Sequence, residues 1–172
     1  NVLSVQPGAW GLGTLPTFGY QWYLDGRPIT GATGSQYVVK VTDAGRTVAV
    51  LVTATRLGFT QASATTAPVT VAKVASRTSL KLLKKRIKQG TAGLLRITLA
   101  PSSLRPAGKV KVFDGRRLLK TYTVRAADNG TRIVKLPRLK AGKHKLTARF
   151  AGTRATTASK SAAVVLTVTR RR

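Results

Sequence analysis

The chain has 172 residues, with 31 Lys and Arg against four acidic side chains and a formal net charge of +27. It contains no Cys, no Met and no Glu, and one His, which excludes disulfides, thiol nucleophiles and zinc sites built from Cys and His. The charge points instead to a polyanionic partner.

Period-two alternation dominates from the start, and helical periodicity is nearly absent. Val2-Leu3-Ser4-Val5 already alternates like a strand, so Asn1 reads as a cut through a larger polypeptide with sequence upstream. Tyr20 to Leu24 reads as a strand running into the turn dipeptide Asp25-Gly26, followed by Arg27-Pro28-Ile29. Strands are then predicted over Tyr37 to Val41, Arg46 to Thr55 and Pro68 to Val74, with a turn at Thr42-Asp43-Ala44-Gly45. Farther on, strands are predicted over 80–83, 94–99, 109–113, 118–124, 132–136, 144–150 and 164–169. The segments between them carry turn chemistry: Pro106-Ala107-Gly108, Asp114-Gly115, Asp128-Asn129-Gly130 and Ala141-Gly142. Many short strands at such spacing predict β-sandwiches. No run approaches the ~18 apolar residues of a membrane helix.

Composition breaks near residue 73. Residues 1–73 hold five basic and two acidic side chains; residues 74–172 hold 26 and two, a net charge of +24. Aromatics run the other way, with only Phe113, Tyr122 and Phe150 in the second segment. Two domains are expected, 1–73 and 74–172, each small but within the range that folds alone.

Residues 18–71 resemble an actinobacterial extracellular Ig-like repeat. The resemblance rests on Tyr20-Gln21-Trp22 with Asp25-Gly26, Ile29 to Ser35 with Tyr37, Asp43-Ala44-Gly45, Val52-Thr53-Ala54 and Gly58-Phe59. Residues 76–169 resemble a second Ig-like repeat family of bacterial secreted and surface proteins. There the carrying residues are Pro106, Gly108-Lys109-Val110, Val112 to Gly115, Gly142 to Ala148, Phe150, Gly152 and Leu166-Thr167-Val168. The resemblance implies an all-β chain of two tandem Ig-like β-sandwich domains. It also implies a non-catalytic spacer, adhesion or substrate-binding module, often attached to a secreted enzyme. Two departures stand out: the first repeat lacks its expected opening strand, and the second is far more basic than its pattern requires.

All four acids sit in turn sequences, where a short carboxylate bonds nearby backbone N–H groups, so none is assigned to catalysis. His144 shares the apolar face of its strand with Leu146, Ala148 and Phe150, and is expected to be a packed imidazole with a backbone partner. No catalytic residue, metal or cofactor is assigned. Trp22 alternates onto the core face of the first sandwich, leaving Tyr23 outward, while Trp10 lies in a Pro/Gly-rich loop.

The candidate ligand-binding residues are therefore basic: Lys109 and Lys111 on one strand, Lys143, Lys145 and Arg149 on a second, and Arg132 and Lys135 on a third. Arg116 and Arg117 follow a hairpin, and Tyr23 and Trp10 are candidate sugar-stacking aromatics. A small domain stays soluble at a net charge of about 2–8, so +24 needs another reason. The expected partner is an anionic polysaccharide or cell-wall polymer, with a catalytic domain attached upstream and the protein secreted or wall-associated. The alternatives are a structural spacer or adhesin repeat without a ligand, and non-specific DNA binding. No recognition helix or zinc finger supports a sequence-specific nucleic-acid reader.

Overall fold

A computed structural model describes residues 1–8, 16–101 and 104–171. Short strands dominate it, and they divide into two compact units, Asn1–Lys73 and Val74–Arg172.

In the first unit, β1 (Val2–Ser4) pairs with β4 (Gln36–Val38) in a small sheet. Facing it is a larger sheet in the order β3 (Arg27–Pro28), β2 (Thr17–Leu24), β5 (Thr47–Thr55) and β6 (Ala62–Thr65), with β7 (Val69–Thr70) also on β5. The long β2–β5 ladder is antiparallel and sets Trp22 opposite Val50. Its alternation delivers Val48, Val50 and Val52 to the core, where they meet Trp22 and Tyr37. The Trp22 and Tyr37 rings stack at 5.6 Å, and Trp22 Nε1–H donates to the Gly34 carbonyl at 2.9 Å, so the buried indole leaves no donor unpaired. Asp25-Gly26 joins β2 to β3 with φ of 50° and 77°. A two-residue hairpin of this hand needs positive φ at both positions, which Asp-Gly supplies.

Two predicted strands of this unit are shorter in the structure. The one expected over Tyr37 to Val41 stops at Val38, because Asp43 Oδ2 accepts from Lys40 N at 2.8 Å and winds Val41–Asp43 into a 3₁₀ turn. The one expected over Pro68 to Val74 is reduced to Val69–Thr70.

The second unit is a sandwich of two unequal sheets. One has the order β13 (Thr131–Lys135), β10 (Leu94–Ala100), β8 (Arg77–Leu82). The other runs β12 (Arg117–Val124), β11 (Gly108–Asp114), β14 (Gly142–Phe150), β16 (Val164–Thr169), β9 (Arg86–Lys88), with β15 (Ser159–Lys160) on β14. The pairings are antiparallel except that of β16 with β9. Inward residues of both sheets close the core: Leu95, Ile97 and Leu99 from β10, Val110 and Val112 from β11, Leu146, Ala148 and Phe150 from β14, Leu166 and Val168 from β16. Burying each of the larger ones contributes roughly 1.5–3 kcal/mol. This core fixes which way every alternate residue of the large sheet faces, and so places the site.

Candidate polyanion-binding face

With Val110, Val112, Leu146, Ala148 and Phe150 committed to the core, period-two alternation sends Lys109 and Lys111 of β11 and Lys143, Lys145 and Arg149 of β14 to the opposite side. All five are exposed. The ladder brings these two strands side by side, so five of the sequence-predicted residues share one sheet face.

Register adds members that sequence reasoning left out of the site. Lys160 of β15 lies opposite Arg149, which lies opposite Lys111, making a row of three cations across β11, β14 and β15. A second row runs from Lys143 through Thr167 to Arg86, with Lys88 beside it on β9. Strands are about 4.8 Å apart and side chains on one face recur every ~6.7 Å along a strand, so neighbouring charges stand within one or two such steps. Like charges directly opposite one another destabilise a sheet. The Arg149 guanidinium is 5.0 Å from the Phe113 ring centroid, which covers the aromatic on this face.

No acid relieves this repulsion, because all four are engaged elsewhere. Asp25 pairs with Arg46 at 2.8 Å, and Asp43 accepts from the Tyr37 hydroxyl and Lys40 N. Asp128 accepts from Arg125 N and lies 3.8 Å from Arg132. Asp114 accepts from His144.

Other predicted residues are not on the face. Arg116 and Arg117 are exposed at the β11–β12 hairpin, at one end of the same sheet. Arg132 and Lys135 belong to the other sheet, and they do not share a side there: three residues apart, they must point oppositely. Lys135 is exposed, whereas Arg132 turns between the sheets and donates through Nη1 to the Thr123 carbonyl. Tyr23 is half-buried in β2 of the first unit, opposite Pro28 and Ala49. Trp10 lies outside the described residues.

His144 takes the expected side of β14 and has the expected backbone partner: Nε2–H donates to the Lys140 carbonyl at 2.9 Å. Its second partner was not foreseen. Nδ1–H donates to Asp114 Oδ2 at 2.6 Å, so Asp114 serves this bond as well as ending its strand at the hairpin. Burial opposes the charge, but the bonds to Asp114 and the Lys140 carbonyl, with the attraction of Asp114, hold the imidazole above the usual histidine value. Among the described residues no group of three or more His, Cys, Asp or Glu could hold a metal ion.

A bacterial Ig-like domain (group 3) family model matches residues 80–169. No curated protein matches the sequence. Among solved structures, a Dscam1 fragment (isoform 8.4, N-terminal four Ig domains) is similar over 99% of this chain and 41% of its own, at 10% identity and a TM-score of 0.49. The chicken interferon gamma receptor alpha chain is similar over 98% of this chain and 91% of its own, at 14% identity and a TM-score of 0.46. A structure of a bacterial ice-binding adhesin, described in terms of host cell surface retention, matches 92% of this chain and 55% of its own, with 15% identity and a TM-score of 0.37. This chain thus spans well under half of the Dscam1 fragment. Its sandwich topology and the family match over more than half its length agree, and the chain belongs to the bacterial Ig-like domain (group 3) family.

Proposed function

We propose that this is a non-catalytic accessory module of a secreted or wall-associated protein of actinobacterial type. Its second sandwich holds an anionic polysaccharide, either the substrate of an attached upstream catalytic domain or a glycopolymer of the envelope. Bacterial Ig-like domains are typically extracellular, where such polymers are met, and among the described residues no helix is long and apolar enough to cross a membrane. One observation carries the reading: Arg86, Lys88, Lys109, Lys111, Lys143, Lys145, Arg149 and Lys160 share one side of a sheet, with every acid of the chain bonded elsewhere. A polymer carrying a charge on each repeat offsets that repulsion through many weak contacts. Single-stranded nucleic acid is disfavoured because its recognition relies on open aromatic platforms, and Phe113 lies under Arg149.

The test is affinity electrophoresis in gels containing an acidic polysaccharide, a neutral glucan or duplex DNA. Expected is retardation by the acidic polymer, weakened by Lys143→Ala/Lys145→Ala/Arg149→Ala and lost with salt. Replacing three exposed cations of the other sheet, Arg77, Lys81 and Arg96, removes equal charge and should matter less. Equal retardation by neutral glucan, none by any polyanion at low salt, or equal losses in both triple variants overturns the proposal. Retardation by DNA alone, falling roughly 10³–10⁵ between 50 and 200 mM salt for six to ten contacts, transfers the function to DNA. The family match itself is consistent with a structural or adhesin-type repeat, the reading left if no polymer binds.

A further inference from the structure

The second unit has a second basic feature, on its flank rather than on the sheet face. Among the described residues β12 pairs only with β11 and β13 only with β10, so both are edge strands, and a groove of about 390 Å³ lies between them. Three cations line it, Lys120 from β12, Arg125 just beyond it and Arg132 from β13, while Lys135 borders it with its backbone and turns its side chain to the other side of β13. Two bonds tie the walls together across the gap. The Tyr122 hydroxyl donates to the Lys135 carbonyl at 2.6 Å, and Arg132 Nη1 donates to the Thr123 carbonyl. The two walls are thus fixed relative to one another without a ligand, which lowers the ordering cost of binding. Asp128 offsets part of the Arg132 charge from 3.8 Å, while its Oδ2 also accepts from Arg125 N. The Lys120 ammonium lies 5.8 Å from the Tyr122 ring centroid.

We propose that this groove is a binding site for a sugar-sized phosphomonoester, separate from the polymer-binding face and not dependent on it. Three features point to that chemistry. The volume falls in the ~300–1,000 Å³ range of small-molecule sites. Three cations against one acid suit a group carrying about −1.5 to −2 at pH 7 better than a single carboxylate. Two of the three are arginines, whose planar forks match phosphate oxygens in pairs.

The experiment is an amide NMR titration of the full chain with glucose 6-phosphate, glucuronate and glucose at fixed ionic strength. Expected are saturable shifts at residues 121–123 and 133–135 with glucose 6-phosphate, at least about tenfold weaker binding of glucuronate, and no shift with glucose. Lys120 and Arg125 are exposed and outside the core, so Lys120→Ala/Arg125→Ala folds and should weaken glucose 6-phosphate about tenfold or more. Lys143→Ala/Lys145→Ala/Arg149→Ala should leave that affinity within about twofold. Equal shifts with glucuronate, shifts confined to residues 109–111 and 143–149, or an unchanged Lys120/Arg125 variant overturns the proposal. Because the two sets of variants lie on different surfaces, failure of this site and failure of the polymer face are read separately.

Discussion

Tyr37→Phe isolates one buried hydrogen bond. Tyr37 is 6% exposed, and its hydroxyl donates at 2.8 Å to Asp43 Oδ2, on a residue that is 3% exposed. Phenylalanine keeps the stack on Trp22 and removes the donor, leaving the Asp43 oxygen with the Lys40 amide. A hydrogen bond to a charged group contributes about 1.5–3 kcal/mol. The same surroundings act on the ionisation of Tyr37: burial first, then the Asp43 bond and charge, push the phenol from 10.0 to about 12. That rise corresponds to about 2.7 kcal/mol between protonation states. At about 4–8 °C per kcal/mol for a unit of 73 residues, the loss of that bond should lower Tm by about 6–24 °C. Both tryptophans, Trp10 and Trp22, lie in Asn1–Lys73, so indole fluorescence reports this unit alone. A raised phenol pKa contributes stability that is full below pH 10 and lost as pH rises through about 12. The gap between wild type and variant should therefore hold at neutral pH and close over that alkaline window. A variant within about 0.5 kcal/mol of wild type at pH 7, or a gap that persists at pH 12, refutes the reasoning.

Two further outcomes concern the second unit. The His144 pKa is raised in the fold, so its contribution is complete below 6.5 and is lost as pH rises through the folded value. Urea melts followed by far-UV circular dichroism should show wild-type stability falling on the alkaline side of 6.5, and Asp114→Asn should flatten that slope. Phe150 is 2% exposed at the centre of the core, so Phe150→Ala should cost about 3–5 kcal/mol. That loss should appear in circular dichroism and leave the tryptophan-detected transition of the first unit in place.

The strands of the second sandwich were legible because their inner residues are bulky and their outer residues charged, a contrast that survives without any knowledge of partners. The same contrast is missing from Ala62–Thr65, where small residues alternate with nothing, and β6 went unseen. It is blurred again at Arg86–Lys88: embedded in a run of cations, Ile87 is its single apolar residue, and only pairing with β16 makes it a strand. Two of the eight face cations, Arg86 and Lys88, were missed in the site for that reason. The grouping of Arg132 with Lys135 failed differently, since a spacing of three along one strand by itself excludes a shared side. The bond between Asp114 and His144 spans thirty residues and depends on β11 lying beside β14, a register no local pattern encodes.

The parallel pairing of β9 with β16 also has a mechanical meaning. Tension applied to the two ends of this unit, after the Val74–Thr156 bridge and β8 have given way, drags β9 toward residue 74 and β16 toward residue 171, in opposite directions along strands that run the same way. The bonds between them, Thr167 N to the Lys85 carbonyl and Gln89 N to the Thr169 carbonyl, both 2.8 Å, are then loaded together in shear rather than peeled one after another. Once β8 has been drawn off β10, further extension of this unit has to break that seam as a block.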